Sequence, residues 1–204
     1  MSKEIKFTFP KEKTKELIDR AYGTAKSHGF HDEELSPQHM LMLAISEVGE
    51  AVEADRRGNR ADVWAFETRT NVHPDYNERF EAYIKDTTAD ELADVAIRIF
   101  DFCGAKGVTP RYPYGVTVNQ GKSFCENCYD LCACLAMYHD EFSPTREQKI
   151  GGATVYPSNA ENVTGTALGI IWAICEVYDI DLMKHIEWKM QYNESRPPKH
   201  GKNY

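Results

Sequence analysis

Leu41-Met42-Leu43-Ala44-Ile45-Ser46-Glu47-Val48-Gly49-Glu50-Ala51-Val52-Glu53 reads as a helix with acids set inside it. From Gln38 to about Arg57 the residues Leu41, Ala44, Ile45, Val48, Ala51 and Val52 recur at helical spacing and form one broad apolar face. Ser36-Pro37 marks the start, with a serine suited to cap and a proline at the first helical position. Glu47 and Glu50 are three residues apart, so they point in nearly the same direction and border the apolar face.

Working outward, a second acidic pair lies in Glu91-Leu92-Ala93-Asp94. Residues 88–105 predict a helix in which Leu92, Ala93, Val95, Ala96, Ile97, Ile99, Phe100, Phe102 and Cys103 cover most of the circumference. A helix apolar nearly all round is buried in protein. Its narrow polar stripe, Glu91, Asp94, Arg98 and Asp101, must then face solvent, an ion pair or a cavity with ligand. Glu47, Glu50, Glu91 and Asp94 brought together would repel one another unless cations neutralise them. Hard divalent cations with oxygen ligands answer that need, Mg²⁺ above all and Mn²⁺ as a substitute. Mg²⁺ in turn points to a phosphate substrate. Taken singly, each acid has a plainer reading as a solvated or salt-bridged helix residue. The pairing and the apolar flanks favour the metal.

The rest of the chain is also helical in pattern. Helices are expected at 11–28 (mostly polar), around 77–84, at 120–141, at 160–178 and at 181–194. No segment alternates convincingly with the period of a strand, although 115–118 and 154–156 suit short extended pieces. The expectation is an all-α bundle of about five to six helices in a single domain, with long segments at 55–90 and 108–160. The first of these is open to two readings, a lid or rim beside the acidic helices or an ordinary surface excursion. A degenerate internal repeat is compatible with the pattern, the helix at 120–141 answering that at 38–57, but the second copy lacks the acidic pairs.

The 204 residues carry a net charge of −8, which disfavours a polymeric nucleic acid as partner. Positive charge gathers instead in Lys189, Arg196, Lys199, His200 and Lys202, either a basic tail or the seat of a small anion. No apolar run approaches the roughly 20 residues of a membrane span, and Met1-Ser2-Lys3-Glu4 does not begin a secretory signal. The expected compartment is the cytoplasm, with the six cysteines as reduced thiols. Cys125, Cys128, Cys132 and Cys134 have the number of thiols for a zinc site, but one helix cannot easily wrap all four around an ion. Packing as small apolar groups is the better reading. The seven histidines show no ligand spacing, and no glycine-rich phosphate loop occurs.

Three pieces together resemble the all-α nucleoside triphosphate pyrophosphatases, the MazG-like group related to the dimeric dUTPases. The stretch 41–53 looks like that family's Glu-x-x-Glu helix, and Glu91-Leu92-Ala93-Asp94-Val95 like its Glu-x-x-Asp helix. Residues 189–202, Lys189-Met190-Gln191-Tyr192-Asn193-Glu194-Ser195-Arg196-Pro197-Pro198-Lys199-His200-Gly201-Lys202, are similar to its closing segment. The resemblance covers about half of the chain. It implies that Glu47, Glu50, Glu91 and Asp94 bind Mg²⁺ and that Lys189, Asn193 and Arg196 contact phosphates, joined by Lys199 and Lys202. It implies cleavage of a (deoxy)nucleoside triphosphate between the α- and β-phosphates, in a homodimer or homotetramer.

Within that reading, Glu47 or Glu50 orients the attacking water or takes its proton. Gln38 or His39 is expected to wall a base site, and Trp64 or Phe66 to stack on the base. Competing readings are a pyrophosphohydrolase of another nucleotide such as phosphoribosyl-ATP, a non-catalytic nucleotide-binding or sensory bundle, and a cysteine-held zinc module.

Overall fold

The computed structural model describes residues 2–5, 11–113, 116–119, 121–138, 148–150, 153–155 and 159–198. Among them the architecture is all-α. Eight helices run in the order α1 (Lys11–Ser27), α2 (Pro37–Arg56), α3 (Val63–Thr68), α4 (Tyr76–Tyr83), α5 (Thr88–Lys106), α6 (Phe124–Ala136), α7 (Ala160–Val177) and α8 (Leu182–Ser195). Strands are confined to two short antiparallel pairs. β1 (Ser2–Ile5) lies against β2 (Val116–Asn119) in the register Ser2↔Asn119, and β3 (Gln148–Ile150) against β4 (Ala153–Val155). The extended pieces expected at 115–118 and 154–156 thus fall at β2 and β4, and their partners were not foreseen.

Helix ends follow local chemistry. The Ser36 hydroxyl accepts from the His39 N–H at 3.2 Å, with Pro37 opening α2. Thr87 caps α5 in the same manner, and Gly107 closes it at φ +64°, a left-handed turn that favours glycine. Ser123 and Glu126 form a reciprocal capping box on α6.

α5 is the axis of the bundle. It packs against α1, α2, α7 and α8, which is why its apolar residues surround it. Leu92, Ile99 and Phe100 are wholly buried, each such burial stabilising by about 1.5–3 kcal/mol. α2 rests on α5 and α6, and α6 on α7, so the long segment at 108–160 contributes to the core. α1 is less polar in effect than its composition implies, since Thr14, Leu17 and Ala21 are buried. It approaches α5 closely because Gly104 lacks a side chain there. A Cβ at that position would sit 2.4 Å from Tyr22 Cβ.

The segment between the acidic helices is a docked rim. α3 and α4 form a second small core with α8, in which Phe80 stacks on Tyr192 at 4.5 Å and Phe66 meets Trp188 at 4.5 Å. The Tyr76 hydroxyl donates to the Trp188 carbonyl at 2.7 Å. No single helix among the described residues is long and apolar enough to cross a membrane.

Candidate functional site

α2 and α5 present their acids to one cavity of about 260 Å³. Glu47 is buried on the core side of α2 and Glu50 is exposed, while on α5 Glu91 is buried and Asp94 half-buried. Carboxylate oxygens of Glu47, Glu50 and Glu91 lie within 4.8 Å of one another. α8 supplies Lys189 and Asn193 to the same cavity, one turn apart on one face, and Arg196, the extended residue that caps its end, joins them. Ala21, Thr24 and Ala25 of α1 make a further wall, with His28 and Phe30 beyond its end. The turn before α5 adds Lys85 and Asp86.

The cavity lining holds six carboxylates (Glu47, Glu50, Asp86, Glu91, Asp94, Asp101) against four cations (Lys85, Arg98, Lys189, Arg196). Most of these cations are already engaged. Arg98 Nε donates to Glu47 Oε1 at 3.0 Å. Lys189 Nζ lies 2.7 Å from both Asp90 Oδ2 and Asp94 Oδ2, and Lys85 Nζ is 2.9 Å from Asp86 Oδ2. Among the described residues no lysine or arginine pairs with Glu50 or Glu91. Asp94, held by Lys189, does not belong to the group formed by Glu47, Glu50 and Glu91.

Burial without such a partner shifts the acids. Glu91 is pushed up to about 8, by burial first and then by the Asp94 charge, with Lys189 opposing. Glu47 is raised by burial and by Asp94, against the pull of Arg98. Asp90, wholly buried and bonded to Lys189, does not line the cavity and rises to about 7 through burial although Lys189 opposes it. Burial alone would lower Lys189, but Asp94 and Asp90 hold it well above the ordinary lysine range.

A raised carboxyl has a stability consequence. The folded chain holds the Glu91 proton more tightly than the unfolded chain does, so stability falls as pH rises from about 4.5 to about 8. Glu91→Gln is therefore expected to raise the stability of the metal-free protein at pH 8.5 by about 2 kcal/mol, and to change it little at pH 5. Thermal melts at the two pH values check this. A variant less stable than the parent at pH 8.5 would refute the charge repulsion.

Carboxylate oxygens are hard donors of the kind Mg²⁺ prefers. Ligands of one Mg²⁺ lie at most about 4.2 Å apart, twice the usual metal–oxygen distance, so the carboxylate group needs a closure of less than an ångström. The residues present fit the ion.

The structure brings together Glu47, Glu50, Glu91, Asp94, Lys189, Asn193 and Arg196. Gln38, His39 and Trp64, expected to wall or stack on a base, do not line this cavity. His39 precedes Glu47 by more than two helical turns, roughly 12 Å along α2. Trp64 is 64 % exposed on α3, with the Arg69 guanidinium over its ring. Phe66, the other stacking candidate, is buried in the small aromatic core. Lys199 and Lys202 lie outside the described residues. Sequence reading missed Lys85, Asp86, Asp90, His28 and Phe30. Only Asp90 left a signal, as an acid in the first turn of a helix apolar on every side.

Cys125, Cys128, Cys132 and Cys134 all fall on α6. Cys128 and Cys134 are buried and Cys125 is exposed. Burial pushes the Cys134 thiol up to about 12, which suits a packing role. Among the described residues, the groups placed to share a cation are carboxylates.

No family model, curated protein or solved structure matches this chain.

Proposed function

We propose that the chain is a Mg²⁺-dependent hydrolase that splits a (deoxy)nucleoside triphosphate into the monophosphate and pyrophosphate. The observation that carries this reading is the pairing, in one cavity, of three clustered carboxylates with Arg196 and Asn193. A cavity with more carboxylates than cations repels an unescorted polyphosphate. Anions gain access once divalent cations reverse the balance. Glu47, Glu50 and Glu91 would hold Mg²⁺, or Mn²⁺ in its place, with Asp94 as the fourth acid of the set. When bound, such an ion neutralises phosphate charge and makes a coordinated water more acidic.

The chain's own groups divide the remaining work. Glu50 is exposed and has no cationic partner among the described residues, so it is the better placed acid to orient a water or take its proton. Glu47 is tied to Arg98 and serves as a fixed ligand. Arg196 can grip phosphate oxygens with two hydrogen bonds, and the Asn193 amide can donate another. Lys189 acts behind them, fixing Asp90 and Asp94. The nucleoside would lie toward α1, where Phe30 and His28 replace the wall expected from α2. The reading includes a MazG-like arrangement with α6–α7 as the degenerate counterpart of α2–α5. The packing of α2 on α5 and of α6 on α7 supports it.

A panel of ribo- and deoxyribonucleoside triphosphates, assayed with and without Mg²⁺ for pyrophosphate and orthophosphate separately, tests the reaction. Mg²⁺-dependent pyrophosphate release is expected. Orthophosphate as the product would place the attack at another bond. A folded protein that binds nucleotides without turnover would establish a binding bundle instead.

A further inference from the structure

We propose that the nucleoside end of the cavity selects a base with an exocyclic amino group, and that Asp101 reads it. The inference rests on the reading proposed above for the triphosphate and adds the class of base. Asp101 lies two turns beyond Asp94 on the polar stripe of α5, roughly 10 Å further along the axis. That separation leads from the phosphate end of the cavity, across the width of a sugar, to a base. Phe30 and Asp101 both line the cavity, and both also line a small hollow with His31 and Leu35, so an aromatic ring and a carboxylate meet at this end.

Asp101 is a fixed acceptor. It is 7 % exposed, and its Oδ1 lies 2.7 Å from His31 Nε2. His31 is braced in turn, its ring set edge to face with Tyr22 at 4.9 Å between centres. The Lys106 ammonium ties the same connection to α5 by donating to the Leu35 carbonyl at 2.7 Å. Among the described residues, Arg98 pairs with Glu47 and not with Asp101, and no donor bonds the second oxygen of Asp101.

An ionised carboxylate only accepts hydrogen bonds. The amino group of cytosine, adenine or guanine donates to it. Uracil, thymine and hypoxanthine set a carbonyl at the position of the cytosine or adenine amine. Two acceptors then face one another in a site with little water, and each is desolvated without gaining a partner.

Pairs of bases that differ only in that group test the assignment. The ribo- and deoxyribonucleoside triphosphates of cytosine, uracil, adenine and hypoxanthine are compared by equilibrium dialysis with Ca²⁺ in place of Mg²⁺, and by pyrophosphate release with Mg²⁺. The intact chain should prefer cytosine over uracil and adenine over hypoxanthine by about 10–100-fold. Asp101→Asn, whose amide donates as well as accepts, should bring each pair within about threefold. His31→Gln keeps a donor beside Asp101 and should retain more of the preference than His31→Ala, with thermal melts showing that each variant is folded.

Pyrophosphate release without a preference for the amino base, or a preference that survives Asp101→Asn, overturns the inference and leaves the hydrolase standing. An Asp101-dependent preference in binding without pyrophosphate release upholds the inference and overturns the hydrolase. A folded chain that binds none of these nucleotides overturns both.

Discussion

Glu50→Gln is expected to lower Mg²⁺-dependent pyrophosphate release by about 10²–10⁴-fold, while the protein stays folded. Glu50 sits on the exposed side of α2, so the amide has room and breaks no packing. The carboxylate is close to those of Glu47 and Glu91 and has no cation of its own among the described residues. Removing its charge relieves repulsion in the metal-free protein, so the melting temperature should hold or rise slightly. The same change removes an oxygen ligand and the group best placed to steer water. Glu47→Gln is a poorer probe, because it also breaks the bond to Arg98. Separate pyrophosphate and orthophosphate readings, with a melt beside them, check the pair of effects. Turnover within threefold of the parent would remove Glu50 from the chemistry.

The largest effect on stability is expected from Lys189→Met. Lys189 is 5 % exposed and lies between Asp90 and Asp94. Methionine fills similar space and leaves a buried acid without its cation. Breaking such a pair from one side costs about 3–5 kcal/mol. The penalty falls on the ionised form of Asp90, which already rises to about 7 with Lys189 present. Without the lysine the acid holds its proton to higher pH still. At pH 5 it is protonated in the folded chain and the loss is smaller, whereas at pH 8 the loss is fullest. Urea denaturation at the two pH values measures both. A loss under about 1 kcal/mol at pH 8 would show that the buried pair holds nothing together.

Much of the helical framework was legible, because the apolar spacing in α2, α5 and α7 is set by burial on known faces. The polar stripe of α5 was also legible. In a helix otherwise apolar, Arg98 and the acids had to meet something, and they meet Glu47 and the cavity. The length of the bundle's small parts was not. α3 spans Val63–Thr68, too short to show a period, and is fixed by Phe66 packing on Trp188 of a distant helix. The pairing of β1 with β2 joins residues more than a hundred positions apart, which no local pattern records.

Asp90 was passed over because the spacing rule selects Glu91 and Asp94. Asp90 is one turn before Asp94, and Lys189 of α8 holds both acids. The wall that α1 gives the cavity was not foreseen, because α1 reads as polar, and no local pattern shows that Gly104 lets it close on α5.

The stacking of Phe80 on Tyr192 couples parts that differ in chemistry. α8 carries Trp188 and Tyr192 toward the aromatic core and Lys189 and Asn193 toward the cavity, with Arg196 at its C-terminal cap. Phe80 also sits beneath the Lys189 ammonium, 5.7 Å from ring centre to nitrogen. α8 is therefore a common beam. A displacement of α8 that reshaped the aromatic side would move the cationic side with it, and the spacing between acids and cations would change without any of them being altered. The geometry of the cavity thus resides as much in its aromatic upholstery as in its charges.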